Sequence, residues 1–135
     1  MTFLVDANVL SEGTKPVPEL SVLDWLVVNE SELAVDPIIL GEIQIGILVL
    51  PKGAKRQRLE RWFEDGVRKI LCLPWDANTA MRWARLVADL RTAGKAMSVK
   101  DSMIAATALV HDLTMVTRNE RDFKSTGLNV VNPFE

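Results

Sequence analysis

The chain contains no tyrosine, a single histidine and a single cysteine. One cysteine excludes an internal disulfide, and Cys72 sits in "ILCLP", which reads as a buried strand with a packing thiol. One histidine, His111, falls near a predicted helix end, where capping or dipole complementation accounts for it; a nucleophile–histidine triad is disfavoured. There is no glycine-rich phosphate loop and no G-x-G-x-x-G. No stretch is both long and uncharged enough to span a membrane, since the longest apolar run, Pro37 to Pro51, is interrupted by Glu42 and Gln44. The first residues lack a basic start, and Asp6 cuts their apolar stretch short, so no signal peptide and a cytoplasmic location are expected. Excess charge is missing too: a net charge of −2 argues against a protein that simply coats nucleic acid, though not against an enzyme that grips it locally.

What is present suits one domain over residues 1–135, with 48% apolar and 25% charged residues, enough for one core. Repeats, low-complexity segments and linkers are absent. Strands are expected at Phe3–Val5, Glu32–Val35, Ile70–Leu73, Thr114–Thr117 and Asn129–Val131. Helical patterns lie between them at Leu20–Asn29, from Pro37 behind an Asp36 cap, at Ala54–Asp65, at Asp76–Thr92 and at Ser98–Asp112. The helix from Asp76 carries Ala80, Trp83, Ala84, Val87 and Leu90 at helical spacing, with Gly94 as a stop. Strands alternating with helices imply an α/β fold: a parallel five-stranded sheet flanked by helices.

In such a sheet, ligands bind beyond the carboxyl ends of the strands, where the returning helices also begin. Asp6 ends strand one. Glu42 and Asp101 lie in the first turns of two returning helices, and Asp122 follows strand four in "TRNERDF". Four carboxylates on one rim repel each other: two like charges about 4 Å apart cost on the order of 4 kcal/mol at an effective dielectric near 20. Either some are protonated or a cation sits among them. Oxygen ligands without nearby histidine or cysteine suit Mg²⁺ or Mn²⁺ rather than zinc.

Each acid also has a structural reading. Asp6 fits a turn cap. Glu42, in the nearly all-apolar "IILGEIQIGILVL", needs a metal or a basic partner unless it shares a narrow solvated stripe with Gln44. "SVKD" fits a capping box that would use Asp101 at a helix end, and "TRNE" fits one that would use Glu120. Asp122 alone is an ordinary loop aspartate. From Pro51 to Lys69, seven basic residues face three acids, which suits either a phosphate backbone or a solvated helix face. Arg118, Arg121 and Lys124 are nearer the acidic rim and are the better candidates for phosphate contact.

These residues carry a resemblance. "FLVDANVLSE" resembles the first acidic motif, D-T-N-V-[IL]-S-E, of PIN-domain ribonuclease toxins of the VapC/FitB type, from bacterial type II toxin–antitoxin modules. "LGEIQIGI", "SVKDSMIAATA" and "TMVTRNERDF" with "GLNVVNPFE" resemble its second, third and fourth motifs, in order and across nearly the whole chain. The resemblance implies a Rossmann-like sheet and Mg²⁺- or Mn²⁺-dependent cleavage of RNA with 5′-phosphate and 3′-hydroxyl products. It also implies a homodimer and a cognate antitoxin whose tail blocks the active site. Carried over by position, Asp6, Glu42 and Asp101 form the acidic core. The fourth acid is Asp122 in the FitB-like pattern, whereas some members place it at the position of Asn119. Position 7 is alanine rather than the frequent threonine. Asp6 and Asp101 are expected to hold the ion most directly, with Glu42 and Asp122 completing its shell. Asn8, Ser11, Thr117 and Asn119 are expected to orient these acids. The ion would activate a water for in-line attack on the phosphodiester.

Other classes also put an aspartate after strand one. A phosphohydrolase usually carries a second aspartate two residues on, but Asn8 stands there; a receiver domain needs further acids and a lysine for which no clear match exists. A catalytically silent RNA- or antitoxin-binding protein is opposed by acids at all four motif positions. Surplus apolar surface on the helices at Pro37–Leu50 and Asp76–Leu90, with Trp62 and Trp83, suits a dimer or else a dense single core.

Overall fold

Phe3–Val5 forms the central strand, β1, because its alternating side chains find apolar partners on both faces of the sheet: Leu4 and Val5 are completely buried. The computed structural model describes residues 2–135. After β1 come a short helix α1 (Ala7–Leu10), α2 (Leu20–Val28), β2 (Leu33–Val35), α3 (Pro37–Leu48) and α4 (Ala54–Asp65). Then follow β3 (Leu71–Cys72), α5 (Ala77–Thr92), α6 (Val99–Val110), β4 (Thr114–Val116) and β5 (Val130–Val131). The strands make one parallel sheet in the order β3-β2-β1-β4-β5. Phe3 pairs with both Leu33 and Thr114, so β1 has hydrogen-bonded neighbours on either side.

The helices start where their sequences supply caps. The Asp36 carboxylate accepts from the Ile39 N–H at 2.8 Å, with Pro37 in the first turn. Asp76 caps α5 through Thr79, and Ser98 caps α6 through the Asp101 N–H at 3.1 Å. His111 sits at the C-cap of α6, as its position in the sequence suggests. The core is one cluster of apolar side chains, with Ile39, Ile43 and Ile47 of α3, Leu86 and Leu90 of α5, Ile104 of α6 and Phe123 closing on the strands. Phe3 packs edge-on against Trp25 with centroids 4.9 Å apart. No helix among the described residues is long and apolar enough to cross a membrane.

Several expectations need correction. β3 is only two residues long and lies at the sheet edge, so Cys72 is exposed rather than packed. Strand two starts at Leu33 because Glu30–Glu32 form a 3₁₀ turn. Glu120 is not the acid of a capping box: residues Glu120–Thr126 form a 3₁₀ helix, and the Glu120 carboxylate accepts from the Asn132 side chain instead. Helix α3 is apolar on nearly every side yet not buried all round, for Ile45, Leu48 and Val49 at its C-cap are 51% or more exposed. On α5, the fully buried positions include Thr79 and Leu86, which the apolar periodicity passes over, while Ala84 faces solvent.

Candidate active site

The strand order places the topological switch at β1, between β2 and β4, and the first residues beyond β1 and β4 meet there. The Asp6 N–H donates to the Val116 carbonyl at 2.9 Å, which extends the ladder by one step and fixes Asp6 at the rim. Its side chain is almost wholly buried. Oδ1 accepts from the Ala7 N–H at 2.8 Å, so Asp6 does cap α1, and Oδ2 accepts from the Thr117 hydroxyl at 2.8 Å.

The Thr117 hydroxyl is itself saturated. It donates to Asp6 and accepts from the Asn119 N–H at 3.1 Å and from the Asn8 side-chain amide at 3.4 Å. The Asn8 side-chain oxygen in turn accepts from the Arg118 N–H at 3.1 Å. Asn8, Thr117 and Asn119 thus form one network that locks the Asp6 carboxylate. Asn119 takes part through its backbone, and the exposed side chain at 119 is an amide. Ser11 stands apart from this network: with Asn8, Thr14 and Glu42 it lines a cavity of about 360 Å³ walled by Ile43, Ile47, Leu59 and Trp62.

The other acids approach this point from α3 and α6. Burial raises the Asp6 pKa most, and the negative charges of Glu42 and Asp101 raise it further, against the lowering effect of the Thr117 hydroxyl; the result is about 6. Burial also raises Asp101, with Asp122 and Glu42 adding to the shift, while the Ser98 hydroxyl and Lys100 oppose it. Three sequence-predicted acids therefore feel one another, and Asp122 joins them through Asp101. Asp122 is exposed and shares a cavity of about 200 Å³ with Asp101, Ser98, Arg121 and Ser125. Arg121 thus lines the same cavity as two of the acids. Lys124 lines a separate cavity of about 550 Å³ with Glu120, Arg121 and Asn129. Arg118 has its guanidinium over the Phe134 ring, 4.6 Å from the centroid.

Glu42 has the basic partner that its apolar surroundings call for: Lys100 of α6 pairs with its Oε2. Its Oε1 is buried without a hydrogen-bond partner. Among the described residues, no three carboxylate, histidine or cysteine side chains already stand together as a ligand set for one ion. Two of the four acids are engaged elsewhere, Asp6 by α1 and Thr117, and Glu42 by Lys100. The donor chemistry nevertheless suits a hard divalent cation: all the acids offer oxygen, one carboxylate oxygen of Glu42 is buried and orphaned, and burial, with repulsion between the acids adding to it, raises Asp6 and Asp101.

Two polar residues of structural weight, Glu12 and Lys100, escaped the sequence reading, and a third, Asp36, was legible only in part. Asp36 is completely buried, bonded to Ile39 and to the Thr107 hydroxyl at 2.7 Å; only its capping role was visible. Glu12 is buried beside the first motif, accepting from the Glu19 N–H at 2.9 Å and pairing with Lys15 at 2.8 Å. Lys100 did carry a signal: a cation in the first turn of a helix opposes the dipole and calls for another reason to be there.

Comparison with known proteins follows the same lines. The PIN domain family model matches residues 3–128. The chain is 33% identical over 136 residues to the VapC ribonuclease Y4jK of Sinorhizobium fredii, covering 98% of this chain and 97% of the relative. It is 32% identical to toxin FitB of Neisseria gonorrhoeae, covering 97% of each. The structure of FitAB bound to an IR36 DNA fragment superposes with a TM-score of 0.92 at 30% identity, covering 99% of this chain and 96% of that one.

Proposed function

The chain belongs to the PIN-domain family of VapC/FitB-type toxins, and on that premise we propose that it is a metal-dependent endoribonuclease, the toxic member of a type II toxin–antitoxin pair. The observation that carries this reading is Asp6 at the β1–β4 rim, locked by Thr117 and pushed up to about 6 by burial and by the charges of Glu42 and Asp101. Such an arrangement is costly for a metal-free protein and suited to one that binds a cation.

Asp6 and Asp101 would hold Mg²⁺, or Mn²⁺ in its place, with Glu42 and Asp122 contributing the remaining protein oxygens. When bound, the ion supplies a Lewis acid that offsets charge on the scissile phosphodiester and favours deprotonation of an attacking water. The chain's own residues do the positioning. Thr117 fixes the Asp6 carboxylate, Asn8 fixes Thr117, and Ser98 fixes the first turn of α6 that carries Asp101. Arg121, beside Asp101 and Asp122, is placed to meet the phosphate backbone of the substrate. Asn8 occupies the place of a phosphohydrolase's second aspartate, and both ends of its amide are committed to Thr117 and Arg118, which favours the nuclease over that alternative.

The antitoxin partner is supported by the FitAB likeness, and RNA as substrate by the ribonuclease relative. The exposed Ile45, Leu48 and Val49 on α3 support a homodimer. A cytoplasmic site of action is part of this reading.

The test is cleavage of a mixed RNA pool by the purified protein freed of antitoxin, with Mg²⁺ or Mn²⁺ and with EDTA. Asp6→Asn and Asp101→Asn are run beside it. Metal-dependent cutting that disappears in both variants is the expected result. Cutting that persists in the variants would move the reaction to a different site.

A further inference from the structure

Lys100 occupies the second position of α6, behind the Ser98 cap, where the helix dipole disfavours a cation. An exposed ion pair contributes little to stability, so helix stability does not explain the residue. The other described ion pairs, Lys15–Glu12 and Arg56–Glu60, are local, three and four residues apart. Lys100–Glu42 instead joins α6 to α3 across 58 residues of sequence, next to Asp101, and it leaves Glu42 Oε1 buried and unpartnered. The ammonium also lies within the electrostatic reach of Asp6. Glu42 has two oxygens at the acidic rim, one held by a lysine and one held by nothing.

We propose that Lys100 is a resident counter-cation: it holds Glu42 in the metal-free protein and competes with the divalent ion for that carboxylate. The inference rests on the metal-dependent reading above. While the rim is empty, the ammonium neutralises part of its charge and keeps Glu42 turned toward α6. Glu42 would offer its Lys100-bound oxygen to a divalent ion held by Asp6 and Asp101 only as the lysine gives way. Lys100 therefore lowers metal affinity and makes the empty site tolerable, a positioning role exerted through Glu42.

Calorimetric titration with Mn²⁺, without RNA, compares wild type, Lys100→Met and Lys100→Arg. Removing the competing charge is expected to tighten Mn²⁺ binding about two- to fivefold in Lys100→Met, the scale of one exposed ion pair, and to leave Lys100→Arg near wild type. Equal or weaker binding by folded Lys100→Met would overturn the inference while leaving the nuclease reading intact. Failure of wild type to take up Mn²⁺ at all would overturn both. A second measurement needs no variant. The Lys100 side-chain ammonium resonance of ¹⁵N-labelled wild type should shift in step with Mg²⁺ occupancy; a resonance unmoved at saturation would sink the competition.

Discussion

The Thr117 hydroxyl donates to Asp6 Oδ2 at 2.8 Å across 111 residues of sequence, from the residue after β4 to the residue after β1. Two parallel strands in register deliver both groups to one rim, and the threonine's remaining acceptor capacity is taken by Asn8 and Asn119. Replacement by valine keeps the shape and removes the hydrogen bonds. Groups that orient a metal ligand typically contribute about 10- to 100-fold in affinity or activity. Thr117→Val should therefore reduce RNA cleavage and Mn²⁺ affinity by that order. Thr117→Ser should recover most of the loss, and kinetics at saturating metal would separate affinity from rate.

The raised Asp6 pKa makes a prediction of definite sign. The folded protein keeps this proton up to about pH 6, whereas the unfolded chain releases it near 3.8. Between those values the native state binds more protons, so the group's contribution is fully present below the unfolded pKa and is lost as pH rises through 6. The loss is on the order of 3 kcal/mol for a shift of this size. Urea unfolding in EDTA should show Asp6→Asn gaining stability over wild type as pH rises from about 4 to about 6, with little further change above that. A difference between the two proteins that is flat with pH would contradict the assignment. Divalent metal binds the deprotonated carboxylate, so Mn²⁺ affinity of wild type should climb through the same interval.

Asp36 is the contrasting acid, buried like Asp6 and raised like it, but by burial alone among charges and opposed by bonds from Ile39, Thr107 and Ile38. Its partners are a helix end and a core threonine, so its work is structural. Asp36→Ala removes the α3 cap and strands the Thr107 hydroxyl, which should cost about 2–4 kcal/mol in urea unfolding. Asp36→Asn keeps an acceptor for Ile39 and should cost far less. Neither change should alter cleavage by the protein that remains folded, once metal is saturating.

The comparison of these two aspartates shows what the sequence makes legible. Both follow apolar strands and both precede helices, so strand order and caps could be read from pattern, and the parallel five-stranded sheet followed. Both accept from a threonine hydroxyl, and nothing local tells which of them also feels other acids. That difference arises because β1 sits between β2 and β4, a matter of long-range pairing. The Thr117 network was accessible as a list of candidates, but not as a set of bonds. Cys72 was misread because a short apolar run does not say whether its strand is central or at an edge. Lys100 escaped because its partner, Glu42, is on another helix.

Arg118 and Arg121 separate phosphate contact from scaffold. Arg121 is exposed beside Asp101 and Asp122 and lines their shared cavity, whereas the Arg118 guanidinium lies over Phe134. RNA binding is measured as a function of salt in the Asp6→Asn background, so that bound RNA stays intact. Each phosphate contact to a single strand contributes about 0.7 to the slope of log affinity against log salt. Arg121→Ala should lower the slope by about that amount and weaken binding across RNA sequences. Arg118→Ala should leave the slope close to its parent and instead reduce stability by about 0.5–1 kcal/mol, the scale of one exposed cation–π contact. If Arg118→Ala lowers the salt slope while Arg121→Ala does not, the substrate path runs over the Phe134 side of Asp6 rather than past Asp122. Asp122 would then lose its place beside the phosphate and, with it, the argument for a fourth acidic ligand.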